Sequence, residues 1–477
     1  MKTKIAINGF GRIGRNAFKV AFERPDLEIV AVNDLTDTRT LAHLLRHDSN
    51  YGTYQHEVGY DEKNLIVEGQ KIKVLAEKEP ANLPWKDLGV EIVIESTGLF
   101  TDPAKARAHV EAGAKKVVIS APVKGGDAET IVIGVNEDKL DSAGDIISNA
   151  SCTTNCIATV AAIIENNFGI EKATMTTIHS YTASQRLQDA PAKDLREARN
   201  AATNIVPTTT GASIAAAKAL PALEGVFGGL SVRVPTPVVS LSDFAIVTKR
   251  DVTVEEVNKA FSDAASDPYY QGILAVTEEE LVSSDFIGNS HSAIVDLKLT
   301  SVVGGNLLKV VAWYDNEWGY SNRLVELVAD VAKKLGATAD IEDRKDDGGD
   351  KKNSEPDGDK EDTEQSDPKI ITVDDGLPGG PKKKSQPGGS ANKSGSNEKP
   401  YTIIEGSEGG NKDSEPLLAP PKSADEELLE DPTKKESKNH PNHKHAYMKD
   451  KSKFLDPDSL ELPDGSGKPP GDKFRHF

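Results

Sequence analysis

Three glycines that follow the first apolar run constrain the fold of this chain most strongly. Residues 4–8 (KIAIN) have the pattern of a short strand, residues 9–14 (GFGRIG) come directly after it, and a helical pattern follows. Glycine at these positions permits a tight turn and lets the backbone approach a pyrophosphate, which the helix N-terminus attracts. The strand, the glycines and the helix together predict a dinucleotide-binding βαβ unit.

Asp34, which ends the second predicted strand at 28–33, carries information about the cofactor. It lies roughly 20 residues after Gly14, where an acidic side chain bonds the adenosine ribose hydroxyls and repels a 2′-phosphate. Further apolar strands at 90–95 and 116–119 are followed by small polar residues, as in parallel sheets that hold a ligand at their strand ends. The first part of the chain therefore predicts a Rossmann-type α/β domain that binds NAD.

Cys152 and Cys156 are the two cysteines of the 477-residue chain. Apolar residues after them recur at three- and four-residue steps, which predicts a helix with Cys152 at its first turn. Unpaired N–H groups and the helix dipole favour a thiolate there. Cys152 is therefore a candidate nucleophile, whereas Cys156, one turn further on, is predicted to pack as a small apolar residue.

His179 lies in a predicted strand at 173–182 and is flanked by hydroxyl side chains. A histidine in a strand is more often structural, but a thiol nucleophile needs a general base, which favours a catalytic role. Arg233, a charge among apolar neighbours, has two interpretations: an exposed position on a one-sided sheet, or an anion ligand beside threonines. Later apolar alternations predict an antiparallel sheet, with strands at 229–239, 244–248, 293–300 and 307–313 and helices at 254–265 and 321–335.

Charge and cysteine content exclude several classes of function. The formal net charge is −19 and the sequence pI is near 5.1, which argues against a general nucleic-acid binder or a protein of anionic membrane surfaces. No apolar run approaches the about 18 residues that suggest a membrane span, and no signal-type apolar core opens the chain. Two cysteines four positions apart build no disulfide framework, which favours a reducing compartment.

Six motifs follow one another along the first 317 residues: INGFGRIGR (7–15), SNASCTTNC (148–156), TTIHSYT (176–182), PTTTG (207–211), RVPTP (233–237) and WYDNE (313–317). Together they resemble phosphorylating glyceraldehyde-3-phosphate dehydrogenase of the bacterial and organellar type. The resemblance extends from residue 1 to about residue 336. Enzymes that act on erythrose 4-phosphate share the cysteine motif and are an alternative, but Tyr181 and Thr182 after the histidine favour the first family.

This resemblance implies a reaction. Cys152 attacks the aldehyde of glyceraldehyde 3-phosphate, His179 takes the proton, and the backbone N–H of Cys152 steadies the oxyanion. Hydride passes to NAD, and inorganic phosphate cleaves the resulting thioester to 1,3-bisphosphoglycerate. The resemblance also implies a homotetramer, located in the cytoplasm and acting in glycolysis.

The family's functional positions are matched residue by residue in this sequence. The cofactor positions match Gly9, Gly11, Arg12, Ile13, Gly14, Asp34, Lys78, Ser120 and Asn316. The substrate and phosphate positions match Ser151, Thr153, Thr182, Thr210, Gly211 and Arg233. No metal site is predicted, because the histidines at 440–445 are mixed with proline and lysine and have no cysteine near them.

Two departures from the family pattern concern specificity. Paired arginines are usual where this chain has Arg196 and Glu197, and the second of the pair contacts phosphate. Glu197 is predicted to repel that anion, so either Arg196 or Arg199 replaces the missing arginine or the affinity for phosphate falls. Ala190 resembles the alanine of forms that accept NADP, but the position of Asp34 still favours NAD.

The expected domain organisation has four parts. Residues 1–150 form the NAD-binding Rossmann domain, 151–316 an α+β catalytic domain with a mainly antiparallel sheet, and 317–338 a C-terminal helix that packs on the NAD domain. Residues 339–477 are predicted to be a disordered acidic tail, because their composition buries too little apolar surface to offset chain entropy. Apolar islands at 370–373 and 401–404 leave open a tethering function with an unidentified partner.

Overall fold

The computed structural model describes residues 2–123 and 125–346 of the chain. Residues 347–477, which make up most of the predicted tail at 339–477 and contain its apolar islands, lie outside the described residues. The helices of the described part are α1 (Arg12–Phe22), α2 (Thr38–Arg46), α3 (Trp85–Leu88), α4 (Pro103–Ala106), α5 (Ala108–Glu111), α6 (Cys152–Phe168), α7 (Ala212–Ala219), α8 (Val254–Ser266) and α9 (Trp318–Asp346). Short 3-10 helices are formed by Pro80–Asn82, Glu137–Asp141, Pro221–Leu223, Pro268–Tyr270, Ser283–Phe286 and Leu297–Leu299.

The first sheet is mostly parallel, as predicted. The strands of this half are β1 (Thr3–Asn8), β2 (Leu27–Asn33), β3 (His47–Asp48), β4 (Gly52–Thr53), β5 (Val58–Tyr60), β6 (Asn64–Val67), β7 (Gln70–Leu75), β8 (Ile92–Glu95), β9 (Lys116–Ile119), β10 (Glu129–Thr130) and β11 (Ile146–Ser148). β3 and β4 form a separate pair, and the others follow the order β10-β11-β9-β8-β1-β2-β7-β6-β5. Only the pairs β5–β6 and β6–β7 in this sheet are antiparallel within the described residues.

Both faces of the first sheet are covered, which explains its uninterrupted apolar strands. Ile5 and Ile7 pack into the core that α1 and α9 share, while Ala6 packs into a second core on the other face. In the parallel register Asn8 lies beside Asn33 of β2 and beside Glu95 of β8. The carboxyl ends of these three strands therefore meet at one edge of the sheet, next to the glycine loop.

The second sheet consists of β12 (Ile170–Ser180), β13 (Val206–Thr208), β14 (Phe227–Val234), β15 (Ser240–Thr248), β16 (Leu274–Thr277), β17 (Ala293–Asp296), β18 (Ser301–Val303) and β19 (Leu307–Tyr314). Its order is β13-β14-β12-β15-β19-β17-β16, with β18 beside β19. The sheet is mainly antiparallel, as predicted, but β12 pairs with β14 in parallel and so does β16 with β17. Apolar alternation reports which face of a strand is buried and carries no information about its direction.

Two long helices, α6 and α9, pack against the sheets, and α6 carries Cys152 as its first residue. α6 is buried along most of its length and packs against the second sheet through residues such as Ile157 and Val160. It begins at Cys152, as predicted. α9 begins at Trp318 rather than 321 and continues past 335 to Asp346, and its buried face packs against α1. None of the helices in the described ranges combines the length and apolar character that a membrane span requires.

Candidate functional site

A tight turn places Cys152 as the first residue of α6. Ala150, fully buried, has a φ of 55°, a left-handed conformation that is uncommon for a residue with a side chain. The Ser151 side chain caps the helix by accepting the N–H of Thr154 at 3.0 Å. The thiol therefore lies at the first turn of the helix, whose unpaired N–H groups favour developing negative charge.

The imidazole of His179 contacts the thiol directly. Cys152 Sγ lies 3.5 Å from His179 Nε2, and His179 Nδ1 lies 2.7 Å from the carbonyl oxygen of Ser180. Because a carbonyl only accepts, we place the hydrogen on Nδ1, which leaves the lone pair of Nε2 facing the sulfur. This geometry allows Nε2 to accept the thiol proton.

Arg233 lies on the far side of the same imidazole. β14 runs parallel to β12 with Arg233 in register with His179, and Nη1 donates to Ser180 O at 3.2 Å, the same carbonyl that accepts from His179 Nδ1. The approach of Nη1 to Nδ1 brings two donors together and is not a hydrogen bond. Burial, and next the charge of Arg233, lower the pKa of His179 to about 3. Burial raises the pKa of the Cys152 thiol, and the Arg233 charge opposes that rise. At neutral pH the protein by itself therefore holds a neutral thiol beside a neutral imidazole.

Tyr314 supports the dyad although it was not predicted as a site residue. Its hydroxyl lies 3.0 Å from Thr153 Oγ1 and 2.8 Å from Thr177 Oγ1, and its ring meets that of His179 edge to face at 6.1 Å. Burial raises the pKa of Tyr314, which keeps this hydroxyl neutral. The one sequence signal for it is its position in the motif at 313–317.

Other predicted substrate residues form contacts of their own. Thr182 Oγ1 lies 3.1 Å from Ser184 Oγ, and Thr210 Oγ1 accepts the N–H of Ala212 at 3.1 Å. Gly211 is the residue that precedes α7. The structure thus brings Cys152, Thr153, His179 and Arg233 into one connected set, while Thr182, Thr210 and Gly211 lie on the loops that follow β12 and β13.

The loop between β12 and β13 carries exposed charges. Arg199 Nε pairs with Asp189 Oδ2 at 2.9 Å, and both side chains are exposed. The Glu197 carboxylate accepts from Thr208 Oγ1 at 3.2 Å. Within the described residues, the guanidinium of Arg196 has neither a hydrogen bond nor an ion pair. Arg196 and Arg199 are the two arginines predicted to bind phosphate in place of an arginine at position 197. Arg199 is paired with Asp189 and Arg196 has no carboxylate partner in the described part of the chain, so Arg196 is the better candidate.

A cavity of about 560 Å³ opens at the carboxyl ends of β1, β2 and β8. Gly9 has a φ of 90°, and a Cβ there would come within 2.6 Å of the Thr97 backbone nitrogen, so the loop requires glycine. Asp34 Oδ2 accepts the Phe10 N–H at 2.9 Å and fixes the loop from the other side. The cavity is lined by Asn8, Gly9, Gly11, Asn33, Asp34, Leu35, Glu77, Lys78, Glu79, Ser96, Thr97, Leu99 and Phe100.

The remaining predicted cofactor residues do not line that cavity. Arg12 donates to Asp48 at 2.6 Å and through Nε to both oxygens of Glu317 at 3.0 Å. Asn316 Oδ1 accepts from Ser240 Oγ at 3.1 Å, and that hydroxyl in turn accepts the Ser180 N–H at 3.2 Å. The other three contact neighbouring parts of the fold. Ile13 packs on the first core, Gly14 lies against Gly9 O, and Ser120 donates its N–H to Glu95 O at 2.9 Å.

No three His, Cys, Asp or Glu side chains within residues 2–123 and 125–346 are grouped so as to hold a metal ion. The polar side chains of the site contact one another in pairs instead, as Cys152 and His179 do.

Comparison with known proteins gives strong matches over the described part of the chain. The family model "Glyceraldehyde 3-phosphate dehydrogenase, NAD binding domain" matches residues 3–103, and "Glyceraldehyde 3-phosphate dehydrogenase, C-terminal domain" matches residues 151–316. Glyceraldehyde-3-phosphate dehydrogenase of Geobacillus stearothermophilus is 54% identical over 335 residues, which cover 70% of this chain and 99% of that protein. Glyceraldehyde-3-phosphate dehydrogenase 1 of Bacillus subtilis gives the same values. The enzyme of Streptomyces coelicolor is 54% identical over 337 residues, 70% of this chain and all of its own length.

Proposed function

This chain belongs to the glyceraldehyde-3-phosphate dehydrogenase family, and we propose that the residues described above carry that family's reaction. It catalyses the NAD-dependent oxidation and phosphorylation of glyceraldehyde 3-phosphate to 1,3-bisphosphoglycerate in glycolysis. The predicted family and function are confirmed by the matches, which support neither the erythrose 4-phosphate alternative nor the tethering alternative. The assignment of roles depends on one observation, the 3.5 Å contact between Cys152 Sγ and His179 Nε2 at the start of α6.

The first step uses the dyad and the helix N-terminus. Cys152 Sγ bonds to the aldehyde carbon, its proton passes to His179 Nε2, and the carbonyl oxygen becomes an oxyanion beside the N–H groups of α6. Return of that proton to the oxyanion gives a thiohemiacetal. When the thiohemiacetal is oxidised to a thioester, Nε2 takes the hydroxyl proton.

The substrate phosphate has an electrostatic part in this step. Burial lowers the pKa of His179 most, and the positive charge of Arg233 lowers it further because it opposes protonation of the imidazole. A phosphate dianion bound to Arg233 offsets that charge and raises the pKa of His179 toward its ordinary value. Binding of the substrate phosphate therefore makes the imidazole a better base, while it also removes the charge that opposes the rise in the pKa of the Cys152 thiol.

The residues of the cofactor cavity fit NAD. A Cβ at Gly11 would project into open space, so the backbone leaves room for a ligand at the start of α1, and Asp34 stands at the end of β2 beside it. NAD, when bound, supplies the hydride acceptor of the reaction. Asp34 selects NAD over NADP by repelling a 2′-phosphate, and Lys78 lines the same cavity.

The second half-reaction releases the product. An oxygen of inorganic phosphate attacks the thioester carbon, the thiolate of Cys152 leaves, and the proton held by His179 returns to the sulfur. Ser151, Thr153, Thr210 and Gly211 are proposed to hold this phosphate, and Thr182 with Arg233 the phosphate of the substrate.

We also propose a homotetramer. Leu187, Leu195 and Ile205 on the loop between β12 and β13 are 69%, 83% and 72% exposed, and Ile214 and Leu230 nearby in sequence are 68% and 44% exposed. Exposed large apolar side chains such as the three on this loop are typical of a surface that another protein covers. A second copy of the chain is the proposed partner at this loop.

Location and domain organisation follow the same assignment. We propose the cytoplasm, because the reaction requires Cys152 as a free thiol and both cysteines are unpaired. The proposed domains are 1–150, which binds NAD, 151–316, which holds the dyad, and 317–338, with 339–477 as an additional acidic tail. The two family-model ranges, 3–103 and 151–316, support this division.

A steady-state assay of the full chain tests the function. NADH is expected only when glyceraldehyde 3-phosphate and either phosphate or arsenate are both present, with much weaker activity on erythrose 4-phosphate. Cys152→Ser is expected to lower turnover by at least about 10³-fold, because the hydroxyl is a far weaker nucleophile beside a neutral imidazole.

Cys156→Ser is the matched control, since Cys156 is the other cysteine and is fully buried on α6. This variant is expected to lose stability but to retain most of its turnover per folded molecule. Full activity of Cys152→Ser contradicts the assignment of the nucleophile, and faster oxidation of erythrose 4-phosphate contradicts the assignment of the substrate.

A further inference from the structure

A chain of buried polar side chains runs behind the cofactor cavity. Glu95, at the end of β8, is 2% exposed, and His109 and Trp85 are completely buried. A buried carboxylate is costly unless hydrogen bonds satisfy it, and none of these three residues is used by the reaction described above. Glu95 therefore requires a separate explanation.

The donors of this network set the direction of its hydrogen bonds, and Asn8 Nδ2 and His109 Nε2, which lie 3.3 Å apart, are two donors that share Glu95 Oε2. The Trp85 indole only donates, so His109 Nδ1, 3.0 Å away, accepts from it. His109 is then neutral with its hydrogen on Nε2, which donates to Glu95 Oε2 at 3.0 Å. Trp85 thus fixes the tautomer of His109, and His109 fixes the position of the Glu95 carboxylate.

From Glu95 the chain reaches one wall of the cavity. Asn8 Nδ2 donates to Glu95 Oε2 at 2.5 Å, and Asn8 Oδ1 accepts from Asn33 at 2.7 Å. The Asn33 amide bonds the backbone of Glu77 twice, to its carbonyl and from its N–H, both at 2.9 Å. Glu77 lines the cavity next to Lys78.

The other carboxylate oxygen holds the opposite wall. Glu95 Oε1 accepts the backbone N–H of Thr97 at 2.8 Å and also the Thr97 hydroxyl, which in turn accepts the Leu99 N–H at 3.0 Å. The backbone of Thr97 lies directly against Gly9, where no Cβ fits. One carboxylate therefore bonds both the 97–99 segment and, through two asparagines, the segment at Glu77.

We propose that Glu95, held by His109 and Trp85, is a positioning residue that sets the separation between the two walls of the cavity for the adenosine end of the cofactor. The proposal rests on the proposed NAD-dependent function only in the identity of the ligand. Glu95 lies behind the walls and acts through Thr97 and Asn8, so its loss alters cofactor affinity without altering the dyad.

Equilibrium binding of ADP-ribose to the full chain, in the absence of NAD, tests this. Glu95→Gln keeps the shape of the side chain but turns one acceptor into an amide N–H that faces donors. The Kd for ADP-ribose and the KM for NAD are each expected to rise about tenfold, because a buried donor is left unpaired and the walls shift. The kcat at saturating NAD and the KM for glyceraldehyde 3-phosphate are expected to stay within about twofold.

Asp296→Asn is the matched control. Asp296 is also a buried carboxylate that accepts a tryptophan N–H, from Trp313 Nε1 at 3.2 Å, but it lies at the end of β17 in the second sheet. Both variants are expected to lower the Tm, and only Glu95→Gln to weaken ADP-ribose. Equal weakening by both variants would attribute the effect to general loss of stability and overturn the proposal.

Trp85→Phe is the second variant, used where Glu95→Gln does not fold. It removes only the N–H that fixes the His109 tautomer, and a rise of about threefold in the ADP-ribose Kd is expected. Unchanged ADP-ribose affinity in a folded Glu95 or Trp85 variant overturns the proposal. Absence of NADH formation by the unmodified chain contradicts the proposed function instead, and the ADP-ribose measurements still decide the role of Glu95.

Discussion

The cofactor side of the site, which is the cavity at the ends of β1, β2 and β8, and the anion side, which is the charged loop between β12 and β13, are stabilised by different interactions. On the cofactor side, Glu95, Asn8 and Asn33 are almost fully buried, and they are joined by hydrogen bonds from Asn8 to Glu95 and from Asn33 to Asn8. On the anion side, Arg199 and Asp189 form an ion pair in which both side chains are about 60% exposed. The first region is fixed by buried hydrogen bonds, and the second by charges that water and salt screen.

This difference predicts the size of mutational effects. A buried polar group that loses its partner costs its full desolvation penalty, whereas exposed ion pairs contribute little. Changes in the buried dyad are therefore expected to have large effects on turnover. Changes at Arg233, where the buried and exposed regions meet, are expected to have intermediate effects, and changes on the exposed loop small ones.

His179→Asn tests the buried region and has the largest expected effect among the variants of this comparison. Asparagine removes the proton acceptor from Cys152, so kcat is expected to fall by about 10²- to 10⁴-fold. The measurement is NADH formation at saturating substrates. His291→Asn is the matched control, because His291 is a partly buried histidine of the same half of the chain that bonds Asn289 at 2.8 Å.

His179→Asn is also expected to change how the stability of the protein depends on pH. The pKa of His179 is lowered by burial to about 3, below the about 6.5 of an unfolded histidine. Between those values the unfolded chain binds more protons, so the stability from this residue is present above pH 6.5 and is lost as the pH falls toward 3. Tm measured against pH is expected to fall less steeply in His179→Asn. An equal slope in both proteins contradicts the buried neutral imidazole, and wild-type turnover of His179→Asn contradicts the role of His179 as the proton acceptor.

Sequence alone predicts the local parts of this site well. Three glycines, Asp34 and the start of α6 at Cys152 follow from short patterns, because turns and helix starts are encoded by neighbouring residues. Tyr314 and Glu95 were not predicted, because their contacts join residues far apart in the chain: 161 positions from Thr153 to Tyr314 and 87 from Asn8 to Glu95.

The second sheet shows the same limit. Its strands could be predicted from alternation, but the parallel pairing of β12 with β14 could not, and that pairing places Arg233 beside His179. The position of Arg233 in the sequence left open an exposed site on a one-sided sheet. Only the register of the two strands places its guanidinium beside His179.

Arg233→Gln tests the boundary between the two regions. Loss of a charge-assisted hydrogen bond is expected to raise the KM for glyceraldehyde 3-phosphate by about 10- to 100-fold. The Arg233 charge also opposes the rise in the pKa of Cys152, so alkylation of Cys152 by iodoacetamide is expected to require a higher pH in the variant. The rate of alkylation against pH measures this.

Arg233→Lys separates the two effects of that arginine. Lysine retains the charge but not the planar fork of donors, so the KM is expected to rise while the alkylation profile stays close to that of the unmodified chain. An alkylation profile that is unchanged in Arg233→Gln would show that the thiol does not sense this charge and would contradict the effect of Arg233 on the pKa of Cys152.

Glu197→Arg has the smallest expected effect and tests the exposed region. The carboxylate bonds Thr208, two residues before Thr210, and Arg196 beside it has no carboxylate partner within the described residues. Replacing negative by positive charge on a partly exposed loop is expected to lower the KM for phosphate about threefold at low salt, and less at high salt, because such charges are screened. Glu197→Gln removes the negative charge alone and is expected to give part of the decrease. If neither variant changes the KM but Arg196→Gln raises it, Arg196 already supplies the cation, and repulsion by Glu197 is not what limits phosphate binding.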